Sequence, residues 1–255
     1  MIAEWFENLT TPCPWPLRRM GYLRESIGIR SRYRRHAAAW AEHLDNSKRV
    51  IRAGIVPGGK HRKALIFGAG LIHDLPLADL SVAFDEVVLV DLVHLRPARQ
   101  AAAQWPNVRL VAVDLTASVA AFYRGHTEVA APQDFLDDPT VDYVVSANIA
   151  SQLAVLPVEW LRKRFGLGEQ DGDDLGAALV QAHLDYLRRF DCPVVMISDQ
   201  TRIWHDGQGR EVQRDAALFG VEFPPSDESW SWVVAPLGEV DRHTSITNAV
   251  VAARL

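Results

Sequence analysis

One stretch constrains this chain more than any other: Lys63-Ala64-Leu65-Ile66-Phe67-Gly68-Ala69-Gly70, an apolar run that ends in two closely spaced glycines. A short bounded apolar run reads as a buried strand, and glycines directly after it let the backbone turn tightly or approach a ligand closely. Two further runs end in carboxylates, Val87-Val88-Leu89-Val90 in Asp91 and residues 108–113 in Asp114. Three strands thus deliver a glycine turn and two acids to what the pattern predicts is one sheet edge. A nucleotide-like cofactor lying across the carboxyl ends of parallel strands needs close backbone approach and acceptors for its ribose and base. Asp91 stands 21 residues after Gly70, near the offset of about 20 at which an acid reaches ribose hydroxyls.

Around this nucleus strands and helices alternate, which predicts an α/β fold with a doubly wound, mostly parallel sheet covered on both faces. Strands are expected over 64–67, 87–90, 107–113, 141–146 and 193–198, the last stopping at Asp199. Helices are expected over 75–84, 96–105, 117–123, 151–165 and 175–190, with an acidic glycine loop at 166–174. After Asp199 the pattern changes to a turn within 201–207, a helix over 211–219, and strands over 230–236 and 246–252. Adjacent strands joined without a helix must be antiparallel. In front, the prolines at 12, 14 and 16 predict an extended segment over 1–20. Three helices at 22–27, 32–44 and 48–53 follow, the last two separated by the stop signal Asp45-Asn46-Ser47. Pro57-Gly58-Gly59 then divides a helical, basic amino-terminal cap (1–59) from the α/β domain (60–255).

At 255 residues and 48% hydrophobic the chain suits one large domain with a small appendage. Cys13 and Cys192 are far apart and lack a CxxC partner, so neither a disulfide framework nor a thiolate zinc site is expected. No apolar run approaches the roughly 20 residues of a bilayer span, and no secretion signal is read, so a reducing, cytoplasmic setting is expected. Of the 27 basic residues, 13 lie in residues 1–63, which hold only 5 of the 32 acidic ones. Such a basic front can mark a nucleic-acid arm, dock on an acidic body or gather an anionic substrate, and the interleaving of its basic residues with apolar ones favours the last two. Arg30-Ser31-Arg32-Tyr33-Arg34-Arg35-His36 is accordingly read as either a solvated helix face or an anion-recognition face.

Taken together, Leu65-Ile66-Phe67-Gly68-Ala69-Gly70, Val90-Asp91, Val113-Asp114-Leu115 and Asp142-Tyr143-Val144-Val145-Ser146-Ala147-Asn148 resemble the class I S-adenosylmethionine-dependent methyltransferases over about residues 60–255. The resemblance implies a Rossmann-like, seven-stranded sheet with an antiparallel last strand inserted between the fifth and sixth. It implies S-adenosyl-L-methionine as cofactor, with Gly68, Ala69 and Gly70 at the methionine part, Asp91 and Leu92 at the ribose, Asp114 and Leu115 at the adenine, and Asn148 at the mouth. Departures are visible. Ile66 and Ile72 stand where the family usually has an acid and a third glycine, and there is no Asn-Pro-Pro-Tyr motif, which argues against methylation of nucleic-acid bases.

Methyl transfer is an in-line displacement that asks mainly for alignment and, where needed, a base. Asp199, His205 and His183 are the candidates for that base. Tyr22, Arg30, Tyr33 and Gln152 are the candidates for contacting substrate. No histidine and carboxylate set has metal-ligand spacing. The expected activity is methyl transfer to a small molecule, possible anionic character included, by a monomer or homodimer; aminocarboxypropyl transfer of the nicotianamine-synthase kind and a noncatalytic scaffold are the alternatives.

Overall fold

The computed structural model describes residues 7–226 and 228–255. Eight strands form one mixed sheet: β1 (Lys63–Phe67), β2 (Glu86–Asp91), β3 (Val108–Ala112), β4 (Val141–Ala147), β5 (Val194–His205), β6 (Glu211–Ala216), β7 (Glu228–Ala235) and β8 (Ser245–Arg254). Their order is β3-β2-β1-β4-β5-β8-β7, with β6 paired to β5. The first five are mutually parallel, and β8 runs antiparallel between β5 and β7. The Rossmann-like arrangement expected from the sequence is therefore present, with one strand more than the seven expected.

The extra strand is the expected helix over 211–219. Glu-Val-Gln-Arg-Asp-Ala favours a helix locally, but β5 runs seven residues past Ser198 and outreaches β4, leaving a bare edge that β6 covers from Thr201↔Ala216 to His205↔Glu211. Ladder pairing overrides a weak local preference. For the same reason the turn expected within 201–207 lies at 206–210, and Asp199 stands inside a strand.

Helices α1 (Trp15–Met20) and α2 (Tyr22–Ala53) replace the extended segment and three helices expected in front; residues 7–10 are also helical, and residues 1–6 lie outside the described chain. Pro16 falls in the first turn of α1, where its missing N–H costs nothing. The expected stop at Asp45-Asn46-Ser47 fails because Ser47 Oγ donates back to the His43 carbonyl at 2.9 Å, so the hydroxyl is satisfied without leaving the helix. Where α2 does break is His36 (φ −125°, ψ 28°). The remaining helices are α3 (Leu77–Ala83), α4 (Arg96–Ala102), α5 (Val119–Tyr123), α6 (Val155–Phe165) and α7 (Glu169–Leu187), with a 3-10 turn at Ala150–Gln152. The acidic residues of the expected loop at 166–174 largely start α7, where Glu169 and Asp171 meet the positive end of the helix dipole.

One sheet face is covered by α2, α3 and α4, through Trp40, Leu44, Ile51, Leu80 and Ala102 against Ile66, Leu89, Val145 and Val195. The other face is covered by α7 and the segment after β6, through Val180, Leu184, Leu187 and Leu218. On β7, Trp230 and Trp232 share a face as expected: Trp230 Nε1 donates to His43 Nδ1 at 3.1 Å, and His43 stacks on Trp232 at 4.0 Å.

The basic front docks on acids of the body. Arg49 pairs with Glu228, Arg52 with Asp79 and Arg62 with Asp142. At the α2 break, Arg32, Arg35 and His36 converge on Glu239 in the β7–β8 loop. Arg35, ahead of the other causes, holds the Glu239 carboxyl down at about 2. A carboxylate depressed in the folded state stabilises it above the unfolded pKa near 4.5, and the benefit is lost as pH falls toward 2. In thermal unfolding, Glu239→Gln should therefore lower Tm at neutral pH, and its gap to wild type should close between about pH 4.5 and 2. A pH-independent gap would rule out the charge network as its cause.

Candidate functional site

The loops after β1, β3 and β4 carry much of the unusual backbone of this chain, with Phe135 and Phe219 elsewhere. Gly68 has φ +83°, and Ile72, Ala117 and Asn148 have positive φ as well. A β-branched residue such as Ile72 at φ 56° is strained, and strain of this kind clusters where a structure is constrained for function.

The two glycines of the turn have different jobs. A Cβ on Gly68 would lie 2.5 Å from the Ala147 carbonyl and 2.9 Å from Ile149 Cβ, so this glycine lets β1 leave the sheet beside β4. A Cβ on Gly70 would lie 2.9 Å from Asp91 Oδ2. The second glycine therefore admits the carboxylate. Asp91 Oδ1 accepts from Leu92 N–H at 2.7 Å and Val93 N–H at 3.3 Å, and the Gly70 N–H also faces the carboxylate. Burial raises the Asp91 pKa, against the pull of His94 and these donors. His94 itself turns Nε2 to the Val111 carbonyl at 3.1 Å, which makes Nε2 the protonated nitrogen.

Asp114 is committed to its own loop. Oδ1 accepts from the N–H and hydroxyl of Thr116 at 2.9 and 2.7 Å, and Oδ2 from Val119 N–H at 2.8 Å, which closes the turn into α5. Leu115 is buried in the opposite-face core, Ala69 is fully buried in the core under α2, and Leu92 packs beside Leu23 and Ile27. Tyr22 lies by both acids: burial first, then Asp114 and Asp91, push its phenol pKa above the usual range. With Leu23 and Ile27 it packs against Leu71, Leu92, Val93 and Leu95.

On the same sheet face, further along the edge, a second group of polar side chains is buried. Asp199, Asn248, Asn148 and Ser151 are 3%, 1%, 5% and 6% exposed. Asn148 Oδ1 accepts from Asp199 N–H at 2.8 Å and locks β5 to the end of β4. Burial pushes the Asp199 carboxyl up to about 6, against Arg202 and the donors of Asn148, Asn248 and Ser151. None of these reaches hydrogen-bond geometry with Asp199 Oδ1, and Asn248 Oδ1 and Nδ2, Ser151 Oγ and Arg202 Nε also lack partners. A carboxyl raised by burial is easiest to fold when protonated, so its contribution is full below about pH 4 and lost as pH rises through 6. Asp199→Asn should accordingly be more stable than wild type by about 3 kcal/mol above pH 7, the difference vanishing near pH 4 in denaturant titrations. No pH dependence in that difference would mean that the carboxyl is not buried as described.

The other sequence candidates are dispersed. Tyr33 stacks on His73 at 3.9 Å beside the glycine turn, and Arg30 pairs with Glu7. Gln152 is exposed, with Nε2 on the Asn148 carbonyl at 2.7 Å. His183 is buried against Ser146 Oγ at 2.9 Å on the opposite sheet face from Asp199, where burial lowers its pKa to about 4. His205 lies six residues beyond Asp199, about 20 Å along β5. These two histidines do not converge with Asp199. Sequence reasoning missed Asn248, Ser151 and Arg202. Asn248 alternates with Val250 and Ala252, so period two within β8 was the available signal that an amide faces inward. Among the described residues, no cluster of three or more His, Cys, Asp or Glu is placed to hold a metal, and no helix is long and apolar enough to cross a membrane.

Against known proteins, no family model and no curated protein matches this chain. Solved structures do. The DhpI–SAM–HEP complex is similar at 12% identity and TM-score 0.39, covering 93% of this chain and 99% of that one. The DhpI–SAH complex stands at 13% identity and TM-score 0.36, with 89% and 93% covered. A SAM-dependent methyltransferase of Leishmania major stands at 14% and 0.33, with 82% and 71% covered. Likeness at this level leaves open what this chain binds.

Proposed function

We propose that the chain is an S-adenosylmethionine-dependent methyltransferase acting on a small molecule. The observation that carries this is Asp91. A partly buried carboxylate ends β2, is gripped on Oδ1 by Leu92 and Val93 N–H, and is reached closely by a glycine turn from β1. That is the arrangement a ribose diol needs from an open parallel sheet. The residues fit the cofactor on two counts: Gly70 lets the turn after β1 come within reach of the Asp91 carboxylate, and the buried polar set at Asp199 has atoms without hydrogen-bond partners.

Gly68, Ala69, Gly70, Asp91, Leu92 and Asn148 would hold it, with Asp114 and Leu115 shaping the adenine side. When bound, the cofactor supplies a methyl group on a positive sulfonium. The chain's own part is to orient the acceptor and exclude water. Tyr22, near both Asp91 and Asp114, would border the adenosine. A cap formed by α1 and α2, small-molecule selectivity and a cytoplasmic location belong to the same proposal.

Calorimetry with S-adenosylhomocysteine is the test: a binding isotherm is expected, and its absence from folded protein would remove the reading. Ile66, fully buried where the family's acid would stand, favours as second reading the transfer of the aminocarboxypropyl group. Methylthioadenosine as product, in place of S-adenosylhomocysteine, would decide for it.

A further inference from the structure

The polar set around Asp199 contains acceptors and donors in one dry place. Asp199 Oδ1 and Asn248 Oδ1 accept; Asn248 Nδ2, Ser151 Oγ and Arg202 Nε donate; Asn248, Ser151 and Arg202 stand close enough to Asp199 to lower its pKa, yet none of the five atoms reaches hydrogen-bond geometry with a partner. Asp199 and Asn248 are more than nine-tenths buried, and the register puts both on the sheet face that α2 covers, Asp199 opposite Val250 and Asn248 opposite Arg202. Five buried polar atoms short of hydrogen-bond geometry are costly, and a polar group seated among them would satisfy them together. The carboxylate and the guanidinium give the set one charge of each sign. Its complement is a group that is itself dipolar, with hydrogen-bond donors at a positive end and acceptors at a negative end.

From this we infer that Asp199, Asn248, Ser151 and Arg202 form a subsite for a zwitterionic α-amino-acid head group, the ammonium on Asp199 and the carboxylate toward Arg202. The inference rests on the proposed cofactor for one of its two sources. Asp91 and Asp199 lie on the same sheet face, three strands apart across β2-β1-β4-β5 and about 16 Å from one another by strand spacing and rise. From a ribose hydroxyl to the ammonium of S-adenosylmethionine, eight bonds and a hydrogen bond at each end reach roughly that distance when extended. The subsite therefore replaces the acid absent at Ile66, anchoring the cofactor's amino end from β5 instead of β1. The other source of the same chemistry is an amino-acid acceptor.

Binding measurements separate the two. S-adenosylhomocysteine carries the head group and methylthioadenosine lacks it, so wild type should bind the first at least about tenfold more tightly. In Asp199→Asn and Asn248→Ala that preference should collapse while methylthioadenosine affinity stays within about twofold, provided circular dichroism shows the fold retained. If the preference survives but an equimolar mixture of the 20 L-amino acids raises Tm of wild type and not of the variants, the head group belongs to the acceptor. Unchanged preference together with no variant-sensitive amino-acid shift overturns the inference, the set then holding water alone. Failure of both nucleosides to bind wild type would instead count against the proposed function, and the amino-acid arm would still decide the subsite.

Discussion

Asp91→Ala is expected to weaken S-adenosylhomocysteine binding by about 100-fold, corresponding to two hydrogen bonds to a charged acceptor at about 1.5 kcal/mol each. The effect should be large because the carboxylate is already oriented: Leu92 and Val93 N–H hold Oδ1, and Gly70 leaves room at Oδ2. Asp91→Asn separates charge from orientation. It keeps an acceptor for the two N–H groups, so the fold should be unaffected while affinity still falls by tenfold or more. Calorimetry paired with thermal unfolding reads both. Affinity unchanged in a folded Asp91→Ala protein would show that the ribose does not sit at β2, and the proposed site would go with it.

Gly68→Ala should cost about 3 kcal/mol of stability, roughly 10 °C in Tm for a domain of this size. The methyl group would meet the Ala147 carbonyl at 2.5 Å, backbone that cannot move aside without breaking the β1–β4 ladder, and φ is +83°. Gly70→Ala offers the contrast. Its methyl group meets a side-chain oxygen of Asp91 at 2.9 Å, which can rotate away from its donors. Little loss of Tm and a large loss of nucleoside binding are expected there. Equal losses of stability in the two variants would mean that the turn serves the fold alone.

The parts of this protein legible in its sequence are those written locally and repeatedly. Five apolar runs of strand length, alternating with helical stretches, can bury their side chains only between two helical layers, so β1 to β5 and their parallel pairing follow from pattern. Asp91 and the glycine turn were legible too, because a strand's end and a glycine are marked in the chain itself. Less visible was α2: Asp45-Asn46-Ser47 signals a stop, and only the Ser47 bond to His43 shows why the helix continues. Asp114 could be read as a ligand or a turn residue, and its three bonds to Thr116 and Val119 show it serving the turn.

What the sequence by itself determined is the layered α/β sheet and the edge at which the glycine turn and Asp91 meet, since periodicity and glycine placement act within a few residues. Only the tertiary structure decided that β5 outruns β4 and recruits β6, that Tyr22 comes to rest near Asp91 and Asp114, and that Asp199, Ser151, Arg202 and Asn248 meet in one dry place. Each of those depends on residues up to about a hundred positions apart being brought together by strand order, and no local pattern in the chain encodes that order.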